Sequence, residues 1–415
     1  MSFRFAVVVA FHSTLAVMAA AGGDIESPGT SNPRPSPLAA DASRETEEAQ
    51  IVMVSAGDRF NLLLKSDGTV WAFGENYGSQ LGDGTITARP VPVRVQGLTG
   101  VVAVAAGRQF SLALKGDGTV WSWGYNSNGQ LGDGTNVPKS TPVQVQGLTG
   151  VSRIAAGGSH GLAIKQDGTV WTWGLNSNGQ LGDGTTTDRL SPVQVTGFGA
   201  ATSVAASEQH SVAVRTDGTV WSWGSNFLGQ LGDGTTITRH TPVQVTNISG
   251  ASIVAAGYMF TVALKMDGSV FAWGYNPTGQ LGDGTSESRL TPTQVVGLTG
   301  VTSISVGENH SLALRSDNTV RAWGANSHRQ LGDGSTSDRS TPVVIQALTD
   351  AAVVSAGGYH SVVLRSDGSL VAWGWNGYGQ LGSGEQPVQL APAQVPGLTG
   401  ISAVSAGSDA SLALR

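Results

Sequence analysis

Trp123-Gly124-Tyr125-Asn126-Ser127-Asn128-Gly129-Gln130-Leu131-Gly132-Asp133-Gly134 decides the fold, because variants of this string recur along the 415-residue chain every 50 residues. The glycines after the aromatic residue stand at Gly74, Gly124, Gly174, Gly224, Gly274, Gly324 and Gly374, with no insertion or deletion between them. A fixed period of this size marks a supersecondary unit that stacks on its neighbours because it cannot bury its apolar face alone. In the second copy, Val101 to Ala106, Ser111 to Lys115, Thr119 to Trp123 and Pro142 to Val145 read as strands, with a tight Asp117-Gly118 turn between the second and third. The fourth strand carries a proline in every copy, from Pro92 to Pro392. Proline cannot donate to a ladder, so this strand is expected at the outer edge of its sheet. Small residues near the end of the first strand suit crowding around an axis. The pattern predicts an all-β fold, a seven-bladed β-propeller of four-stranded antiparallel blades.

Composition agrees. Gly supplies 59 residues and charged residues only 13%, which suits short strands and many turns better than amphipathic helices. The net charge is −6, and half of that excess lies in residues 1–50, so the repeats are nearly balanced and carry no basic run that would mark a nucleic-acid surface. Cysteine is absent, which removes disulfides, thiol nucleophiles and cysteine metal sites.

Residues 1–21 read as a signal peptide: Arg4 precedes a mostly apolar stretch that ends at Ala19-Ala20-Ala21. Residues 22–50 form a linker rich in Pro, Ser and acidic side chains, which cannot bury a core. The propeller is expected over 51–415, with seven repeats and a spare two-stranded hairpin at 401–415. Ile401 to Arg415 repeats the motif of Ile51 to Lys65, so the two compete for one slot beside Thr69 to Phe73. The carboxy-terminal copy is expected to take it, since a blade built from both chain ends locks a ring.

Trp121-Ser122-Trp123-Gly124-Tyr125-Asn126 with Gly129-Gln130-Leu131-Gly132, and Gly157-Gly158-Ser159-His160 with Asp167-Gly168, resemble the repeats of the regulator of chromosome condensation family. The likeness spans about residues 51 to 415. It implies the same seven-bladed propeller and, by the family's best-known activity, nucleotide exchange on a small GTPase. An acidic amino-terminal tail behind an apparent export signal points instead to a secreted member of bacterial type. Fold alone does not carry function.

Several columns of equivalent residues look chemical and read as structural. His160, His210, His310 and His360 share their position with Phe60, Phe110 and Phe260, which marks packing. The Trp123 column, in which the first blade has Phe73, reads as core between blades. Lys65, Lys115, Lys165 and their equivalents sit two residues before a turn aspartate, which compensates them. Asp83 with Arg89, Asp133 with Lys139, Asp183 with Arg189, Asp233 with Arg239, Asp283 with Arg289 and Asp333 with Arg339 predict an ion pair closing the long loop. In the seventh copy both partners are lost, as Ser383 and Gln389.

Function is sought where the copies disagree. Alternating strand direction puts the turns between first and second strands and the loops between third and fourth on one face, and that face varies. Glu75, Tyr77, Tyr258, Met259, Tyr275, Glu308, Asn309, His328, Arg329, Tyr359, Trp375 and Tyr378 are the candidate partner-binding residues, being of types enriched in binding hot spots or set among them. No nucleophile–base pair or phosphate loop stands out, and no catalytic residue, cofactor or metal ligand is assigned. The expectation is an exported, extracellular or periplasmic, monomeric and non-catalytic module for a protein or surface ligand. It involves no nucleic acid, and no membrane beyond an uncleaved signal anchor. A cytoplasmic guanine-nucleotide exchange factor is the alternative, and an enzyme of unknown type the third reading.

Overall fold

The computed structural model describes residues 51–346, 348–377, 381, 388–395, 403–406 and 411–414. The signal and linker expected over 1–50 lie outside the described residues, as do Tyr378 and Ser383. Seven four-stranded antiparallel sheets follow one another along the chain, each paired in sequence order. The first is β1 (Ile51–Ala56), β2 (Phe60–Lys65), β3 (Val70–Gly74) and β4 (Arg89–Arg94). The fourth strand is the edge, as its proline requires. It begins three residues earlier than the proline alone suggests: pairing slips by two residues between Ala72 and Gly74, and this irregularity lets Gly74 pair with Arg89.

The second strands are almost unbroken apolar runs because both faces of each sheet are covered by a neighbouring blade. The core therefore lies in the seams. One cluster takes Met53, Phe60, Leu62, Leu64, Val70 and Leu81 from the first blade, and Val101, Val104, Ala113 and Trp123 from the second. Between complete blades a backbone carbonyl accepts the Trp indole N–H of the next blade and, except where Gly161 lacks a hydroxyl, a Ser or Thr hydroxyl as well. Gln80 O receives the Trp123 indole N–H at 2.8 Å and the Ser111 hydroxyl at 2.8 Å. Gln180 O, Gln230 O and Gln330 O receive Trp223 with Ser211, Trp273 with Thr261, and Trp373 with Ser361 in the same way. Trp173 and Trp323 bond Gln130 O and Gln280 O at 2.9 Å each. The Trp column is thus core between blades, as its position suggested. Gly124 follows Trp123 at φ 112°, where a Cβ would lie 2.7 Å from Gln109 O; only glycine permits that approach.

The histidine column serves the same seams. His160 Nε2 meets Ser211 Oγ, His210 Nε2 meets Thr261 Oγ1 and His310 Nε2 meets Ser361 Oγ, each at 3.0 Å and fully buried. Burial pushes all three imidazoles down to about 3, so they are neutral in the fold.

Ring closure differs from the sequence expectation. Ile51 to Lys65 fills the first blade: β2 pairs β3 from Phe60↔Gly74 to Leu64↔Val70. The strands at Ala403–Ala406 and Ser411–Leu414 instead form a separate two-stranded sheet, a half-blade between blades 7 and 1. Ala406 N donates to Ser355 Oγ at 2.8 Å on one side, and Ala56 N donates to Ser405 Oγ at 3.2 Å on the other. The local hairpin wins because only the Asp67-Gly68 turn separates β2 from β3, and closing so short a loop costs far less entropy than recruiting the chain's other end. Phe73, whose ring has no N–H to place, stands in the blade that follows this half-blade, packed with Val54, Leu63, Ile51 and Trp71.

The long loops are closed by the expected ion pairs. Arg89 Nε lies 2.7 Å from Asp83 Oδ2, and Arg189, Arg239, Arg289 and Arg339 make the same contact at 2.6–2.8 Å. Lys139 reaches Asp133 at 3.5 Å. Each aspartate also accepts from the hydroxyl and backbone N–H two residues on, as Thr235 does for Asp233. Asn226 Nδ2 bonds Asp233 and the carbonyls of Thr235 and Ile237. Burial alone would raise the Asp233 carboxyl, but the Thr235 and Arg239 hydrogen bonds outweigh it and hold the group below its ordinary 3.8.

A histidine depressed from 6.5 to about 3 favours the fold fully above pH 6.5, and that contribution falls away as pH drops towards 3. Replacing His160 and His310 together by Phe, the residue of three other copies, should flatten the pH dependence of urea stability over that window. Arg239→Ala should destabilise by roughly 1 kcal/mol at neutral pH. Because the Asp233 contribution is present above 3.8 and lost below it, the gap between variant and wild type should close as pH falls through that range.

Candidate functional site

With the loops clasped at their outer ends, their inner ends and the first turns compose one face. The first turns converge on the axis. Arg108 N bonds Gly158 O, Gly158 N bonds Ser207 O and Tyr258 N bonds Glu308 O, at 3.1–3.4 Å, so successive turns hold one another. The Arg108 guanidinium lies 3.6 Å from Asp58 in the preceding blade and 3.4 Å from Glu208 two blades on. Arg59 pairs with Glu75 at 3.2 Å, which ties a turn to the loop of its own blade.

The candidate residues fall into three groups. At the seam of blades 6 and 7, the His328 ring stands 4.8 Å from Tyr359 and 5.0 Å from Trp375, the latter edge-on at 77°. Arg329 follows directly. The Trp375 indole lies back over Gly377, where a Cβ would sit 2.5 Å from Cζ2, so only glycine at 377 leaves room for this ring. A second group joins blades 5 and 6: Tyr275 N bonds Met259 O at 3.0 Å, Gln280 Nε2 bonds Asn309 Oδ1 at 3.4 Å, and Tyr258 is joined to Glu308 through the backbone. Glu75 and Tyr77 form the third, with Tyr77 79% exposed. The half-blade separates this last pair from blade 7, so the neighbourhood expected across a simple ring closure is not formed.

Some residues on this face escaped the sequence list. Phe227 is 69% exposed at the position Tyr77 holds in its own unit, a signal legible in the repeat alignment itself. Arg108, Gln109, Tyr125, Gln130, Gly158 and Ser159 line a polar cleft of about 340 Å³ between blades 2 and 3. A wider hollow of about 480 Å³ on the opposite face draws on one linker alone, Gln244 to Ser249.

That opposite face is internally neutralised. Asp67 Oδ1 accepts the Thr69 N–H at 2.9 Å and its hydroxyl at 2.7 Å, while Lys65 Nζ sits 4.7 Å over the Trp71 ring. Lys115, Lys265 and Arg315 pair with Asp117, Asp267 and Asp317. The Ser269 hydroxyl and N–H hold Asp267 down to about 2.

Comparison with known proteins gives the same architecture. A model of the RCC1-like domain matches residues 18–305, and a model of the regulator of chromosome condensation (RCC1) repeat matches 317–364 and 367–414. Among solved structures, Prp20p from Saccharomyces cerevisiae is 22% identical, covering 85% of this chain and 92% of its own, with a TM-score of 0.71. Human WBSCR16 is 24% identical over 89% and 87%, with a TM-score of 0.63. No curated protein sequence matches the chain. Periodic sequence, radial blades and the matching domain model, which spans well over half the chain, together make this protein a member of the RCC1-like domain family.

Proposed function

We propose that this chain is an exported, non-catalytic propeller that binds a protein or other surface ligand through the face bearing its first turns and long loops. The observation that carries this reading is the contrast between faces. One side repeats the same compensated turns, while the other gathers His328, Tyr359 and Trp375 into a braced ring cluster. Aromatic side chains held in place before binding lose little entropy on contact, which is why such residues dominate hot spots. The leader-like residues 1–21 support an extracellular or periplasmic location, and the protein is read as a monomer of secreted, bacterial type that engages no nucleic acid.

A second reading, exchange on a small GTPase, draws on the fold shared with Prp20p, whose structure is described together with its binding to Gsp1p and histones. Acceleration of nucleotide release from a small GTPase, by a chain found in the cytoplasm with residues 1–21 intact, would favour it.

Trp375→Ala or Tyr359→Ala should each weaken capture of the native partner by about 2 kcal/mol, roughly 30-fold. Lys165→Ala, on the opposite face, should change it little. Surface plasmon resonance against the partner isolated from the native source measures both, and the reverse ranking overturns the assignment of the face.

A further inference from the structure

Arg329 breaks the repeat at a cost. Its backbone is left-handed, at φ 64°, in a column filled by Gly129, Gly179, Gly229 and Gly279 in four other copies and by the small Ser79, at φ 67°, in the first. A non-glycine residue is strained there. At those four glycines a Cβ would come within 2.5–2.9 Å of the next blade's outer strand, so a long side chain is disfavoured there on two counts. The strained residue also has nothing to hold: among the described residues the Arg329 guanidinium has no hydrogen bond or ion pair. The arginines of the first turns on the same face are occupied, Arg59 by Glu75 and Arg108 by Asp58 and Glu208. Arg329 adjoins His328, which braces Tyr359 and Trp375.

Resting on the binding-face reading above, we propose that this seam of blades 6 and 7 binds a glycan carrying an isolated acidic sugar. Arg329 takes the carboxylate, and the Trp375 indole takes the apolar face of a sugar ring. A planar guanidinium matches a carboxylate in a two-point contact. One carboxylate fits better than a polyanion, because Glu75, Glu208 and Glu308 share this face and the chain carries a net charge of −6. A sugar fits better than an extended peptide. Peptide addition wants an open strand edge, and among the described residues the outer edges are the proline-bearing fourth strands at the circumference and Ser411–Leu414 of the half-blade, which lies beyond blade 7 from this seam. The Trp375 indole, laid over Gly377 and braced by His328 at 77°, offers a single preformed stacking face instead.

Ligand-observed NMR titration of the full chain tests this with 6′-sialyllactose, with lactose, which lacks only the acidic sugar, and with the capped tripeptide Gly-Glu-Gly. Sialyllactose should bind at least about tenfold more tightly than lactose or the tripeptide. Arg329→Gly should remove that preference while leaving lactose binding unchanged, and should melt at a higher temperature than wild type because the left-handed strain is relieved. Trp375→Ala should weaken both sugars. No binding of sialyllactose, equal binding of lactose or the tripeptide, or an Arg329→Gly variant that keeps its preference would each overturn the inference. If Trp375→Ala still weakened capture of the native partner in those cases, the binding-face reading would stand while the glycan was rejected.

Discussion

Each seam between complete blades turns on a single peptide oxygen. The carbonyl of the glutamine in the Gly-Gln-Leu turn, such as Gln180, leaves its own blade unpaired and accepts an indole N–H and a hydroxyl from the next one. Such an oxygen, buried and unsatisfied, would cost on the order of 1–3 kcal/mol, so the bond fixes where the neighbouring Trp must stand as well as adding to stability. That requirement explains the otherwise redundant parts of the repeat. Trp supplies reach and one N–H, the following glycine lets the strand turn sharply, and Asn226 holds the Gln-Leu segment through the Leu231 N–H so that the carbonyl points outward. The apolar seam then fills the remaining space. With both faces of every sheet buried by neighbours, no blade is stable by itself and the ring behaves as a chain of nearest-neighbour contacts.

The same economy separates frame from face. The loop aspartates are buried acceptors whose side-chain partners come from within seven residues in sequence, so the base of each loop is fixed locally, and the next blade's outer strand adds one backbone bond, as His240 O does by accepting from Gly184 N. Once the loop base is fixed locally, the residues at its inner end are released from structural duty and can differ between copies. On the opposite side the turn aspartates and their lysines or arginines neutralise one another, leaving little for a partner to read. Variation therefore collects on one face because the bonds that hold it together run through the backbone and a few fixed positions rather than through the variable side chains, and strain such as that at Arg329 is tolerated there.

The repeat and its chemistry were legible in the sequence. A 50-residue period, the Trp column, the shared His and Phe position and the spacing of Asp with Arg each report a contact that recurs in register, and each was found where the pattern placed it. These are local or neighbour-to-neighbour interactions, which is why identity at a fixed interval encodes them. What the tertiary structure alone decided is global. Ile51 to Lys65 and Ile401 to Arg415 present nearly equivalent strand patterns, so pattern could not choose between them. The choice fell to loop-closure entropy, which favours the hairpin one turn away from β3. The half-blade that follows from this choice parts Glu75 and Tyr77 from Trp375, and gathering His328, Tyr359 and Trp375 depends on where two loops and a turn meet in space. Periodicity specifies how one blade meets the next, but it carries no information about how a ring of such meetings ends, and the candidate site lies beside that ending.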